Sequence, residues 1–182
     1  YQSDGIVLLN KIKPHTDFRG EHESGLAKMT AIGISKHKGA SAFHRMGFCK
    51  FAENIPRTAQ HFINTLPVVF GVGIVQNAYD DICNVDVIPK EQIIEKDKEL
   101  LEIAKSKMAK FIFKDLDVLI IDEIGKNISG FGFDPNVIGR ANGWQPGFSD
   151  ILNLQKLFIR GLTEQSHHNG SGISEADITT RR

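Results

Sequence analysis

Apolar segments alternate along this chain with segments of helical periodicity, and this alternation limits the fold more than any other feature of the sequence. Strands are predicted at 5–10, 68–77, 81–88 and 117–121, and the apolar run 154–161 fits either a strand or a helix. Helices are predicted at 25–35, 40–46, 56–66 and 90–113. Strands that alternate with helices are typical of an α/β protein. We therefore predict a mainly parallel or mixed sheet with helices on both faces, in a single three-layer domain.

The length and composition of the chain fit one globular, soluble domain. A chain of 182 residues with 41% hydrophobic content buries a sizeable core without disulfides or structural metal. Its 22 basic and 22 acidic residues balance, so the overall charge gives no reason to expect nucleic acid or a membrane surface as partner. No apolar run reaches the roughly 18 residues of a membrane span. Cys49 and Cys83 do not form a Cys-x-x-Cys pair, which favours a reducing cytoplasm.

Both ends of the sequence suggest a domain taken from a longer protein. The segment 1–4 leads directly into the first predicted strand, and 179–182 closes the chain inside a helical pattern. Neither segment has the composition of a domain linker. We expect residues 1–182 to form one α/β domain, the C-terminal part of a larger protein whose N-terminal domain is absent here.

Two further segments have compositions that predict their surroundings. In 94–108 charged residues occupy the helix positions between the apolar ones, which predicts a solvated face. Between residues 124 and 147, glycine and proline recur, which predicts a long functional or flexible loop rather than packed structure. Glycine occurs there at positions 125, 130, 132, 139, 143 and 147, and proline at 135 and 146.

Imidazole and basic side chains are concentrated in the segment 11–50, which follows the first predicted strand. The segment holds four of the seven histidines and eight of the 22 basic residues. Ligands of open α/β sheets bind at the carboxyl ends of strands, in the loops that lead into helices. This crowding therefore predicts a site for a metal, a phosphate or an acid substrate.

The four histidines of this segment differ in how well their positions suit chemistry. His15 follows Pro14 just past the strand end, so it is either a general acid or base facing a cleft or a hydrogen-bonded surface residue. His22 and His37 are interpreted as surface or hydrogen-bonded residues. His44 lies in a short predicted helix, where it is either a metal ligand or a histidine of the core.

Lys28 is out of character with its surroundings. It lies in the small and apolar helical segment 25–33. A lysine in such a helix either extends its ammonium group to solvent or is held in a dry site, where desolvation lowers the pKa and makes the amine nucleophilic. Both interpretations of Lys28 stand on the sequence alone.

Three stretches together resemble one enzyme family. They are Asn10-Lys11-Ile12-Lys13-Pro14-His15-Thr16-Asp17-Phe18-Arg19-Gly20, the lysine helix, and Asp122-Glu123-Ile124-Gly125-Lys126-Asn127-Ile128-Ser129-Gly130. In order and spacing they resemble the lactate racemase-like family of nickel-dependent enzymes. The resemblance covers essentially the whole chain, as the C-terminal domain of such an enzyme. The chain departs from the family in having Ser24-Gly25-Leu26-Ala27 before the lysine instead of a glycine pair.

The resemblance implies roles for individual residues. It implies that His15 is a catalytic acid or base, and that Lys28 is tethered to a nickel-pincer nucleotide derived from nicotinic acid. It implies that His44, sixteen residues beyond the lysine, is the nickel ligand. Lys126 is a candidate for binding the substrate carboxylate or a cofactor phosphate.

The function implied by the resemblance is racemisation or epimerisation of a 2-hydroxy acid. His15 would remove the hydroxyl proton while the α-hydrogen leaves as hydride to the nucleotide, and a second histidine from the missing N-terminal domain would serve the opposite face. The isolated fragment is expected to be inactive and to lack the nucleotide. Two alternatives remain: a non-racemising domain that binds a nucleotide or organic acid, and an interaction domain that docks a partner through the loop 124–147.

Overall fold

Strands and helices alternate along the chain in the predicted order. The structure is a computed structural model that describes residues 3–141 and 147–181. Its strands are β1 (Ile6–Lys11), β2 (Val68–Gln76), β3 (Ile82–Pro89), β4 (Asp115–Ile121), β5 (Asn153–Ile159) and β6 (Ile178–Thr179). Its α-helices are α1 (Leu26–Lys28), α2 (Lys36–Met46), α3 (Phe51–Thr65), α4 (Ile93–Lys107) and α5 (Pro135–Ile138). The predicted α/β class is confirmed.

The described residues fall into two compact units, one up to Ala109 and one from Lys110. The first unit contains a mixed sheet of order β1-β2-β3, in which β1 is parallel to β2 and β2 is antiparallel to β3. The second contains a parallel sheet of order β4-β5-β6. The strands are thus divided between two sheets, where the sequence pattern predicts one. That residues 1–182 form one domain of a longer protein stays a prediction.

In the first unit, helices α1 and α4 pack on one face of the sheet. Two glycines of β2 allow this close approach: a Cβ on Gly71 would lie 3.1 Å from a methyl carbon of Leu26, and one on Gly73 would lie 2.7 Å from a methyl carbon of Leu100. Larger residues at these positions would push the helices off the sheet. The core between them is formed by Leu8, Ile12, Leu26, Val75, Ile88, Ile93, Leu100 and Leu101.

The opposite face of this sheet is apolar and exposed. Val7 and Leu9 on β1 are 50% and 61% exposed, and Val85 and Val87 on β3 are 54% and 70% exposed. These residues flank β2 on one side of the sheet, as the register of the strands requires. The pattern predicts helices on both faces, and this face of the first sheet retains solvent-exposed valine and leucine side chains.

Helix α3 begins earlier than the sequence predicts. The proline at position 56 suits a helix entry, yet α3 starts at Phe51 and contains Pro56 in its second turn. Position 56 lies beyond the first N–H groups of the helix that lack an intrahelical partner, so Pro56 removes one backbone hydrogen bond from α3. The apolar face of α3 is buried through Phe51, Ile55, Ala59 and Ile63.

The glycine-rich segment from residue 124 forms much of the core of the second unit. Ile124, Phe131, Phe133 and Ile138 are buried against Leu157 and Ile159 of β5. The prediction of a loop rather than packed structure is therefore wrong for the described part of this segment, because its aromatic residues alternate with glycines that make tight turns. Positions 143 and 146, which that prediction includes, lie outside the described residues. Partner docking through this segment stays a prediction, and Lys126, Asn127 and Ile128 in it are exposed.

Helix α5 in this segment has clear local signals. Asp134 precedes it and accepts the backbone N–H of Asn136 at 2.8 Å, Pro135 occupies the first helical position, and Gly139 ends the helix in the left-handed conformation with a φ of 77°. An acidic cap, a proline and a terminal glycine favour a short helix.

None of the helices in the described part of the chain has both the length and the apolar character needed to cross a membrane.

The buried hydroxyl of Ser129 provides a test of this packing. Within the part of the chain that the structure describes, the Ser129 hydroxyl has no hydrogen-bond partner, whereas the equally buried Ser166 donates to the carbonyl oxygen of Thr163 at 2.7 Å. We expect Ser129→Ala to leave the free energy of unfolding unchanged or raise it, and Ser166→Ala to lower it by about 1 kcal/mol. Urea unfolding of both variants measures the difference, and equal losses would contradict the packing described here.

Candidate functional site

The segment between β1 and α1 is a closed loop that begins where the first strand ends. Lys13 and Ser24 pair as an antiparallel bridge, with backbone hydrogen bonds of 2.9 and 3.2 Å. The bridge holds the ends of the loop together, and Pro14 is buried at its start. His15 therefore lies immediately past the carboxyl end of β1, where the sequence predicts it.

The imidazole of His15 is largely buried and packs on an aromatic ring. Its side chain is 13% exposed, and its ring centroid lies 4.5 Å from that of Phe18. The pKa of His15 is lowered to about 3, first by burial and then by the positive charges of Lys28, Lys13 and His44. His15 is consequently neutral over the whole physiological pH range.

A backbone hydrogen bond selects the tautomer of His15. The N–H of Asp17 donates to Nδ1 of His15 at 3.0 Å. A neutral imidazole has one donor and one acceptor nitrogen, so the nitrogen that carries the proton is Nε2. The carboxylate of Asp17 lies 3.8 Å from the same Nδ1, which places an acceptor beside it for the other tautomer.

The loop is anchored from inside by the carboxylate of Glu23. This side chain has no solvent exposure and accepts the backbone N–H of His15 at 2.7 Å and that of Gly20 at 3.3 Å. Its charge is paired with Arg19 at 3.9 Å and with Lys105 of α4 at 3.4 Å. These hydrogen bonds and ion pairs hold the buried carboxylate in place, and the carboxylate in turn fixes the backbone of His15.

Lys28 ends the single turn of α1, which continues as a π-helix from Met29 to Gly33. Single π-turns of this kind are frequent at functional sites. The side chain is half-buried, and its pKa is lowered to about 8, first by burial; Asp17 raises it and Lys13 lowers it. The dry-site interpretation of Lys28 agrees with this environment, because about a tenth of such amines are uncharged at pH 7.

The first backbone N–H of helix α1 is bound by a carboxylate on α4. Asp97 is 1% exposed and accepts the N–H of Leu26, the first residue of α1, at 2.6 Å. A carboxylate suits the N-terminus of a helix because free N–H groups and a partial positive charge meet there. The prediction that the charged residues of 94–108 form a solvated face is wrong at Asp97, which points into the core.

The other histidines of the segment differ in burial. His44 is exposed near the end of α2, so it is not a core histidine. Its ring contacts those of Phe48 and Phe51 edge-on, at 5.6 and 5.5 Å between centroids. His22 is buried and lies 3.2 Å from the Asp97 carboxylate through its Nδ1, which agrees with the hydrogen-bonded interpretation. His37 is exposed.

Three of the predicted site residues converge in the first unit. Lys28 and His44 are both near enough to His15 to lower its pKa, and the rings of His15 and His44 both lie against Phe48, at 6.3 and 5.6 Å. The two imidazoles thus lie against one aromatic ring, and the amine of Lys28 is near enough to His15 to act on it electrostatically. Lys126 is exposed and belongs to the second unit, and its role in substrate binding stays a prediction.

These residues suit a prosthetic group better than a bare ion. Within residues 3–141 and 147–181, no three His, Cys, Asp or Glu side chains come together as a complete metal site. A single histidine holds nickel only when a bound group supplies the other donors. One exposed imidazole, that of His44, and one amine of lowered pKa, that of Lys28, could hold a group that brings its own metal donors.

Sequence inspection misses Glu23 and Asp97, the two carboxylates that hold the site together. A signal for Asp97 exists: it shares a helical face with Ile93, Leu100, Leu101 and Ala104, which are all buried. An acidic residue at a core position of an amphipathic helix indicates a buried partner. Glu23 has no comparable signal, because it lies in an irregular loop.

A cavity of about 720 Å³ opens at the carboxyl ends of the strands in the second unit. Its polar lining includes Glu123, Glu164, His168 and the hydroxyls of Thr163 and Thr179. Two carboxylates repel an anionic ligand, so this cavity does not suit an organic acid. The charge of the first unit's site suits one better.

Comparison of the chain with models of protein families, with curated proteins and with solved structures gives no match.

Proposed function

We propose that this chain forms the cofactor-bearing part of a lactate racemase-like enzyme that racemises or epimerises a 2-hydroxy acid. The observation on which the proposal rests is the convergence of His15, Lys28 and His44 in one unit. A neutral imidazole, an amine that is partly uncharged near neutral pH and an exposed imidazole are the three groups that such a site requires. The three residues are far apart in the sequence, and their positions in it do not by themselves bring them close in space.

In this proposal Lys28 and His44 hold a nickel-pincer nucleotide, Lys28 as the point of covalent attachment and His44 as the protein ligand to nickel. When bound, the nucleotide supplies the hydride acceptor that inversion at a 2-hydroxy carbon needs. Lys28 suits attachment because only the uncharged amine is a nucleophile, and its pKa of about 8 raises that fraction at pH 7 about 300-fold over an ordinary lysine.

His15 moves the proton at the substrate oxygen. With Nδ1 held by the Asp17 N–H, the neutral ring offers Nε2–H as a hydrogen-bond donor to the substrate oxygen. To act as a base, the ring exchanges its proton through solvent to the other tautomer, with the proton on Nδ1 beside the Asp17 carboxylate. The free Nε2 then takes the proton of the 2-hydroxyl group, and the imidazolium that forms gives this proton back when the reaction runs in reverse.

Substrate charge prepares His15 for this role. A general base works best when its pKa is near the operating pH, and the pKa of His15 is held at about 3 by burial and by Lys28, Lys13 and His44. A carboxylate bound beside these cations offsets their positive charge, so the pKa of His15 rises. The site thus favours substrates that carry an anionic group next to the reacting carbon.

The remaining parts of the proposal lie outside the first unit. A second proton-transfer histidine comes from a further domain of the protein, and Lys126 binds the substrate carboxylate or a cofactor phosphate. We place the enzyme in the cytoplasm, in keeping with the free and exposed thiols of Cys49 and Cys83. The partners are a small 2-hydroxy acid and that further domain; neither nucleic acid nor a membrane is a partner.

Intact mass spectrometry tests the attachment. The full-length protein is produced together with the enzymes that make the nickel-pincer nucleotide, and we expect a covalent adduct that peptide mapping locates at Lys28. Lys28→Arg keeps the positive charge but cannot form the same bond, so it loses the adduct. The exposed Lys38 provides the matched control, since Lys38→Arg keeps it. An unmodified Lys28 in protein that folds and meets the nucleotide refutes the attachment.

A second arm of the same experiment assigns the role of His15. In the loaded full-length protein, His15→Ala abolishes racemisation while the nickel content stays unchanged, and His44→Ala lowers the nickel content. Full turnover in His15→Ala contradicts the assignment.

One observation favours a second candidate function. The cations Lys13 and Lys28 beside a neutral His15 bind an organic acid or a phosphate without nickel, as a plain binding domain does. An absent adduct together with saturable binding of a 2-hydroxy acid to the nickel-free protein would favour this candidate.

A further inference from the structure

Helix α4 contributes charged side chains to both ends of the segment between β1 and α1. Asp97 accepts the N–H of Leu26 at 2.6 Å, two residues before Lys28. Lys105 lies 3.4 Å from the carboxylate of Glu23, and Glu23 accepts the N–H of His15 at 2.7 Å. Asp97 and Lys105 are eight residues apart, just over two helical turns, so they emerge from one face of α4.

We propose that Asp97 and Glu23 are positioning residues, two buried carboxylates that set the separation and orientation of Lys28 and His15. This inference rests on the proposed function, because that function requires Lys28 and His15 to be held at a fixed distance and orientation. Neither carboxylate touches the substrate. Each acts through a backbone N–H on the segment that bears a reactive side chain.

The burial of these carboxylates separates this role from ordinary surface pairing. Asp97 and Glu23 are each 1% exposed, whereas the pair Lys96–Glu99 on the same helix is about half exposed. Exposed pairs contribute little to structure because water and salt screen them. A buried carboxylate is held in place by its hydrogen bonds, since leaving a bond unmade costs the full desolvation of the group.

Glycine at position 25 indicates how closely Asp97 approaches the helix start. A Cβ on Gly25 would lie 2.2 Å from Oδ1 of Asp97, and the Gly25 carbonyl accepts the side-chain amide of Asn10 on β1 at 2.9 Å. The start of α1 is therefore held from two directions, by the strand that leads to His15 and by the helix that bears Asp97. The two reactive residues share this support.

The pH profile of Lys28 acetylation tests the inference and needs neither nucleotide nor substrate. The chain is treated briefly with acetic anhydride between pH 6 and 11, and peptide mass spectrometry gives the acetylated fraction of Lys28 relative to exposed Lys38. The charged groups that face Lys28 are Asp17 and Lys13, and both stay unchanged in the variants. The wild-type midpoint is expected near 8.

The variants form a matched set. In Asp97→Ala the start of α1 loses its acceptor, Lys28 gains solvent, and its midpoint rises by at least one pH unit toward 10.5. Asp97→Asn keeps an oxygen for the Leu26 N–H and holds the midpoint near the wild-type value. Glu99→Gln, on the exposed face of α4, leaves it unchanged. A folded Asp97→Ala protein with an unshifted midpoint overturns the role of Asp97.

Glu23→Gln tests the other half through the imidazole of His15. Glutamine has one acceptor oxygen where Glu23 uses two, for the N–H groups of His15 and Gly20. We expect the ¹⁵N shifts of the His15 ring to move toward averaged tautomers, while the Lys28 midpoint holds. Unchanged shifts overturn the role of Glu23.

If Asp97→Ala fails to fold, the midpoint of Lys28 acetylation is measured in Asp97→Glu instead. An unshifted midpoint in that variant again overturns the inference.

The outcomes also separate this inference from the proposed function. A missing nucleotide adduct in the full-length protein refutes the racemase proposal and leaves the acetylation profile interpretable. An unshifted profile refutes the positioning roles even if the adduct is found on Lys28.

Discussion

Replacing Lys28 by methionine is expected to stabilise the chain at pH 7 by about 2–3 kcal/mol, even though it removes the residue proposed for cofactor attachment. Burial lowers the pKa of Lys28 from 10.5 to about 8, so the protonated amine disfavours the folded state at neutral pH. A change of one pKa unit corresponds to about 1.4 kcal/mol. Methionine has a similar length and no charge, so it fills the same space without that cost.

The stabilisation should depend on pH in a defined direction. Below pH 8 the amine is protonated in both folded and unfolded chains, and its desolvation cost is fully present. Between pH 8 and 10.5 the folded chain releases the proton first, so wild-type stability rises with pH. Above 10.5 the amine is neutral in both states, and the advantage of Lys28→Met disappears.

Urea unfolding of wild type and Lys28→Met at pH 7, 9 and 10.5 measures this effect. Lys38→Met provides the control, because Lys38 is exposed on α2 and substitutions at exposed positions change stability by less than about 0.5 kcal/mol. A variant less stable than wild type at pH 7 would show that Lys28 lies in a solvated environment. If a functional site is maintained at the expense of stability, removing one of its reactive groups should stabilise the protein.

The sequence predicts the candidate residues of the site because their chemistry conflicts with their surroundings. Lys28 stands out in an apolar helix, and His15 follows a proline at a strand end. Both features are local, and the position of a strand end in an α/β protein predicts where ligands bind. The convergence of these residues with His44 required only that the segment 11–50 fold back on itself.

The supporting residues could not be found in this way. Asp97 lies 71 positions from Leu26, whose N–H it accepts. Its place on the apolar face of α4 indicates a buried partner, and the sequence does not indicate which partner that is. Likewise, the composition of the glycine-rich segment after Ile124 predicts a loop, whereas in the structure Phe131 and Phe133 pack on β5. Burial of a charged or irregular segment is decided by tertiary partners, which the sequence pattern does not contain.

Gly25→Ala is expected to cost about 3–5 kcal/mol, although the backbone conformation itself accepts alanine. The φ of Gly25 is −178°, which is ordinary extended backbone. The cost arises from contact, because the added Cβ would lie 2.2 Å from Oδ1 and 3.0 Å from Cγ of Asp97. The buried carboxylate must retreat, lose its hydrogen bond to Leu26 and strain the packing around it.

A double-mutant cycle isolates this contact. In an Asp97→Ala background the obstacle is gone, so Gly25→Ala should cost less than about 1 kcal/mol, and the coupling energy should be about 2–3 kcal/mol. Gly33→Ala is the control within the same helical segment: its Cβ would meet Sδ of Met29 at 2.5 Å, and that flexible, 41% exposed side chain can move aside. Additive losses for Gly25 and Asp97 would mean that the two residues do not meet, and the anchoring of the Lys28 helix by α4 would then have to be abandoned.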